Sequence, residues 1–110
     1  MSVFGIMTHD ARRPHRYDPY AREALRLGFE AALLFAPAGV DLARRRVRGL
    51  RNEGTGWHEC TAPLPDIAHD MGFYTDPKTI RRVKTIKAAE SPLPFTGYAL
   101  GHKWRIHKML

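Results

Sequence analysis

Two short apolar runs in this chain end in polar residues that could hold a ligand. Thr8, His9 and Asp10 follow VFGIM, and Asp70 closes the run that begins at Ile67. A hydroxyl, an imidazole and two carboxylates in one crevice can bind a polar substrate. They meet only if the two runs are neighbouring parallel strands. In open α/β sheets the carboxyl edge collects ligands, because loops and helix N-termini converge there and present unpaired N–H groups. The simpler roles are local: Asp70 capping its own loop, and Thr8, His9 and Asp10 lying in a solvated loop.

Catalytic machinery is not legible. There is no G-x-x-x-x-G-K loop, and GxGxxG is absent after both early strands. Ser91 sits before Pro92 in a connector. Cys60 has His58 on the same strand face but no third group to orient the pair. His58 with Cys60, and His102 with His107, fall short of the four ligands of a structural zinc site, so no metal is expected.

The elements that must position these residues are marked by their punctuation. Residues 3–7 and 31–36 are short apolar runs, expected as buried strands. Between them Asp18-Pro19 starts a helix, Asp18 capping and Pro19 in the first turn, and Gly28 supplies a left-handed end. Strand, helix and strand make a βαβ unit with a parallel pair. Residues 42–50 and 56–61 flank a turn-rich RNEGT, which predicts an inserted antiparallel hairpin. After the strand ending at Asp70, Asp76-Pro77 repeats the helix start. In that second helix Ile80, Val83 and Ile86 share one side, for a sheet, and Lys78, Arg81, Arg82 and Lys84 share a basic one, for water or for an anion. Residues 95–100 are expected as a final short strand, and HKWRIHKML as a third helix.

The fold class expected is thus α/β, a small, open, mostly parallel, Rossmann-like sheet with an inserted hairpin and two to three helices. At 110 residues and 44% hydrophobic the chain suits one small domain. A formal charge of +7 favours anionic partners by long-range field. Arg44, Arg45, Arg46, Arg48 and Arg51 crowd the first hairpin arm. One lone cysteine, no signal sequence and no apolar run of membrane-spanning length lead to the expectation of a soluble cytoplasmic protein with no membrane partner. The last residues, Met109 and Leu110, carry no cap or polar tail, so a longer parent protein is expected.

The order of several phrases resembles one family. VFGIM, Leu27-Gly28, RRRVRGL, Gly56-Trp57, the PDIAHD run ending at Asp70, the basic helix and the closing KWRIHKML are similar to the front domain of ATP-grasp proteins of the YheC/YheD, endospore coat-associated type. The family often has arginine after the strand-ending acid, where this chain has Met71. The resemblance implies a pre-ATP-grasp domain over residues 1–100 and, from 101, a linker helix to an absent ATP-grasp domain. The parent would join a carboxylate to an amine through an acyl phosphate, with ATP and magnesium held in the missing lobes of the same chain. It implies no cofactor and no catalysis for this piece alone. Thr8, His9, Asp10 and Asp70 would face a small-molecule or peptide substrate, and Lys103 or Lys108 the nucleotide. A different function class is a stand-alone basic module binding nucleic acid or a partner through the arginines at 44–51 and the second helix.

Overall fold

Ala31–Phe35, five consecutive buried residues, form β2, covered on both faces. The computed structural model describes residues 2–96, so the expected third helix, with Lys103, Trp104 and Lys108, lies outside the described residues. β1 (Val3–Met7) pairs with β2 in parallel, from Val3↔Ala31 to Met7↔Phe35. The connection contains α1 (Asp18–Arg26), as the βαβ pattern requires. On one face of the pair, Ile6, Leu34 and Ala32 meet Tyr17, Ala21 and Ala24. On the other, Met7, Leu33 and Phe35 pack with Val83 and Ile86 of α2 (Pro77–Ile86).

Both helix ends follow their chemistry with one exception. Gly28 has φ of 104°, the left-handed geometry expected of it, and the Asp76 carboxylate accepts from Thr79 N at 2.9 Å as the α2 cap. Asp18 is the exception, being the first helical residue and capping nothing. Its carboxylate accepts instead from Trp57 Nε1 at 2.7 Å, tying α1 to the hairpin.

The hairpin consists of β4 (Arg46–Asn52) and β5 (Trp57–Pro63), paired from Arg46↔Pro63 to Asn52↔Trp57. It is part of the main sheet. β4 runs antiparallel to β2 through Ala32↔Asn52 and Leu34↔Leu50, and antiparallel to the two-residue β3 (Val40–Asp41) further along the same edge. The 3-10 turn Pro37–Gly39 bulges between β2 and β3. Gly49 permits the close approach of β4, since a Cβ there would lie 2.3 Å from Leu34 O.

β6 (Ile67–Asp70) completes the sheet, parallel to β1 from Phe4↔Ile67 to Met7↔Asp70. The mostly parallel sheet expected from sequence is therefore a mixed one, with β1 parallel to β2 and β6, and β4 antiparallel to β2, β3 and β5. A parallel return needs a crossover of a dozen or more residues, usually helical. Between β2 and β4 the chain has only a 3-10 turn and β3, so it folds straight back. Beyond β6, Phe95 makes a parallel bridge to Ala68, and the rest of the expected final strand, from residue 97, lies outside the described residues. No described helix is long and apolar enough to cross a membrane.

One arginine of the expected basic side of α2, read as facing water or an anion, has a structural task. Arg82 donates from Nε to Pro37 O at 3.0 Å and from a terminal guanidinium nitrogen to Val40 O at 2.5 Å. It clamps α2 onto the interrupted ladder between β2 and β3. Arg82→Met is expected to lower stability by about 1–2 kcal/mol, the loss of charge-assisted bonds at a partly exposed site. Arg81→Met should change it by less than about 0.5 kcal/mol. Urea unfolding of the two variants checks this, and equal effects would show that the clamp carries no weight.

Candidate functional site

Among the described strands, β1 alone has parallel neighbours on both sides. The chain leaves β1 toward α1 on one face and leaves β6 toward α2 on the other. Their carboxyl ends thus form a topological switch point, the place where open α/β sheets hold ligands. The parallel register brings Met7 opposite Asp70, so Thr8, His9, Asp10 and Asp70 gather at one edge.

Their surroundings differ. Thr8 is fully buried, and its Oγ1 shares a 2.6 Å hydrogen bond with Tyr17 OH while accepting from Asp10 N at 3.2 Å. Asp10 is held by Arg16 at 2.6 Å, with Arg13 at 3.8 Å. Asp70 is 16% exposed at its side chain. Its Oδ1 accepts from Gly72 N and Tyr74 OH, both at 2.9 Å, and its Oδ2 from Lys87 Nζ at 3.0 Å. Burial first, then the bond to Asp70, pushes the Tyr74 phenol well above its ordinary range. His9 is exposed. Its Nδ1 accepts from Phe73 N at 3.0 Å, so the ring proton sits on Nε2, which is left to donate.

Beside His9 lies a crevice of 340 Å³, lined also by Pro37, Phe73, Tyr74, Thr75 and Thr79. The volume is at the lower end for small-molecule sites, roughly 300–1,000 Å³. Phe73, 76% exposed, forms its lip. Each of the two carboxylates at this edge is balanced by a cation of the same chain. The arrangement can bind and orient a small polar molecule with a flat apolar part, using His9 Nε2 as donor and Phe73 and Tyr74 as walls.

Tyr17, Phe73, Tyr74 and Lys87 belong to this site and were not singled out from sequence. Tyr74 carried a weak signal, four residues past Asp70 in the same loop. Lys87 carried none, because its contact depends on where α2 ends relative to β6. Lys103 and Lys108, the nucleotide candidates, lie outside the described residues. No family model, curated protein or solved structure matches the chain.

Tyr74 makes the site pH-sensitive in a stated direction. A phenol raised above its ordinary 10.0 keeps its proton in the fold where the unfolded chain has lost it. Its contribution to stability is therefore full below pH 10.0 and is lost as pH rises toward the folded value. Tyr74→Phe, which removes one donor from Asp70, should cost about 1 kcal/mol at neutral pH. The gap to the native chain should narrow above pH 10.0, as measured by urea unfolding across the alkaline range. A gap independent of pH would mean that the phenol is not held protonated.

Proposed function

We propose that this chain is a binding domain without catalysis of its own, the substrate-side front domain of an ATP-grasp ligase that joins a carboxylate to an amine. The finer fold that goes with this is a pre-ATP-grasp, Rossmann-like domain. The observation that supports it best is the switch point: parallel β1 and β6 end side by side, Met7 opposite Asp70, with helices on opposite faces. The order of sequence phrases that resembles the YheC/YheD group supports it independently.

The described residues do not themselves fit ATP or magnesium. They contain no G-x-x-x-x-G-K loop, and no three of their His, Cys, Asp or Glu side chains cluster for a cation. The nucleotide and its metal would belong to further lobes of the parent, with Lys103 or Lys108 at the junction. This chain would supply the substrate crevice. There His9, Phe73 and Tyr74 would position a small-molecule or peptide substrate, with Asp70 behind the wall, holding the Tyr74 hydroxyl.

Immunodetection of the native product in its own cells tests the assignment. The expected band is several times heavier than the 12.5 kDa of this chain. A product of 12.5 kDa would have no lobes to hold ATP and would overturn the ligase assignment.

A further inference from the structure

One long edge of the sheet is open. β5 pairs with β4 along its whole length, and among the described residues nothing pairs with its other side. The far edge differs, because Phe95 bridges Ala68 beside β6. Which backbone groups β5 turns outward follows from one bond. Leu64 N donates to Arg45 O at 3.2 Å, so the pair just beyond the strand is a hydrogen-bonded one. In an antiparallel ladder such pairs alternate with non-bonded ones. Ala62, Cys60 and His58 therefore bond β4, while Trp57, Glu59, Thr61 and Pro63 turn their backbone groups to the open edge. Pro63 fits that place, since it has no N–H to leave unpaired. A row of free donors and acceptors of this kind is a template for another strand.

The charges beside the edge are unmatched. Glu59 and Thr61 share a face of the hairpin with Arg46 and Arg48, whereas Cys60 and Ala62 pack on the opposite face, in the core that holds Val47 and Val83. Glu59, Arg46 and Arg48 join no ion pair among the described residues. Arg46 reaches across β5, placing a guanidinium nitrogen 3.5 Å from Thr61 O.

We propose that this edge pairs with the same edge of a second copy of the chain, antiparallel about a two-fold axis, so that two β5 strands join two sheets into one. Outward-facing residues must meet outward-facing ones, and a two-fold axis matches each contact with its reverse. Glu59 opposite Glu59 would set like charges against each other. Of the other registers, Glu59 opposite Thr61 alone engages every outward N–H of both strands. In that register Glu59 lies beside Thr61 of the second copy, and next in the same row is Arg48 of that copy, with Arg46 diagonal to it. The unmatched charges are thereby satisfied on both sides of the axis. Thr61 O has two lone pairs, so it can keep Arg46 while accepting from Glu59 N. The proposal rests on the edge alone and not on the crevice or the ligase reading.

Sedimentation equilibrium of the full chain tests it. The mass should rise with concentration from 12.5 kDa toward twice that value. Glu59→Arg is expected to weaken the dimer about tenfold, since it sets like charges in two symmetric rows. Adding Arg48→Glu to it should restore most of the affinity, which a merely damaged fold would not do. Thr61→Pro removes an N–H that is unpaired in the single chain, and should abolish dimerisation. Circular dichroism establishes that each variant is folded, and the charge exchange keeps the test decisive if Thr61→Pro unfolds. A mass of 12.5 kDa at every concentration up to about 1 mM overturns the proposal and leaves the edge to a strand of a different protein. A dimer indifferent to Glu59→Arg in the folded variant overturns it as well.

Discussion

The structure depends on covering both faces of one parallel strand pair. β1 and β2 carry Ile6, Met7, Leu33, Leu34 and Phe35, all with no exposure. Each such side chain contributes about 1.5–3 kcal/mol on leaving water. The gain is realised only when α1 closes one face and α2 the other, because a strand's successive side chains point to opposite faces. Placing the helices on opposite faces fixes where they depart from the sheet, and that departure creates the crevice at the ends of β1 and β6. Site and core follow from the same constraint.

The polar groups near this core are arranged so that none is stranded. Thr8, buried beyond the end of β1, has Tyr17 as partner, and the carboxylate of Asp70 has three donors. An unpaired group at either place would cost about 1–3 kcal/mol. Among the described residues no buried side-chain nitrogen or oxygen lacks a partner. The Lys87 ammonium also ties the end of α2 to the end of β6 through Asp70.

Much of the framework was legible in the sequence, for identifiable reasons. β1, β2 and β6 are short apolar runs bounded by loop and turn residues, and α2 opens with Asp-Pro, so their extents are set by local chemistry. The place of the hairpin was not legible. Alternation and a turn signal show that two strands pair, but not which edge of the sheet they join, and that is decided by the Pro37–Gly39 bulge aligning β3 with β4. Asp18 looked like a cap because of its spacing. Trp57, 39 residues later, takes its carboxylate instead. Arg82 falls on the border of the helix's polar side, where angle alone cannot tell water from a neighbouring carbonyl. Of the crevice, His9 could be named in advance, while Thr8, Asp10 and Asp70 lie at the same sheet edge without lining it, and Phe73 and Tyr74 enter through packing.

α2 joins the core to the crevice. Its buried side, Val83 and Ile86, sits in the core; Thr79 at its first turn lines the crevice; Arg82 bonds the carbonyls of Pro37 and Val40; and Lys87 at its end holds Asp70. A ten-residue helix is too short to be stable alone in water, so its position is set by these tertiary contacts. Arg82 and Lys87 leave the helix in different directions, about 140° apart at 100° per residue, so their bonds to the Pro37 and Val40 carbonyls and to Asp70 fix its rotation as well as its place on the sheet.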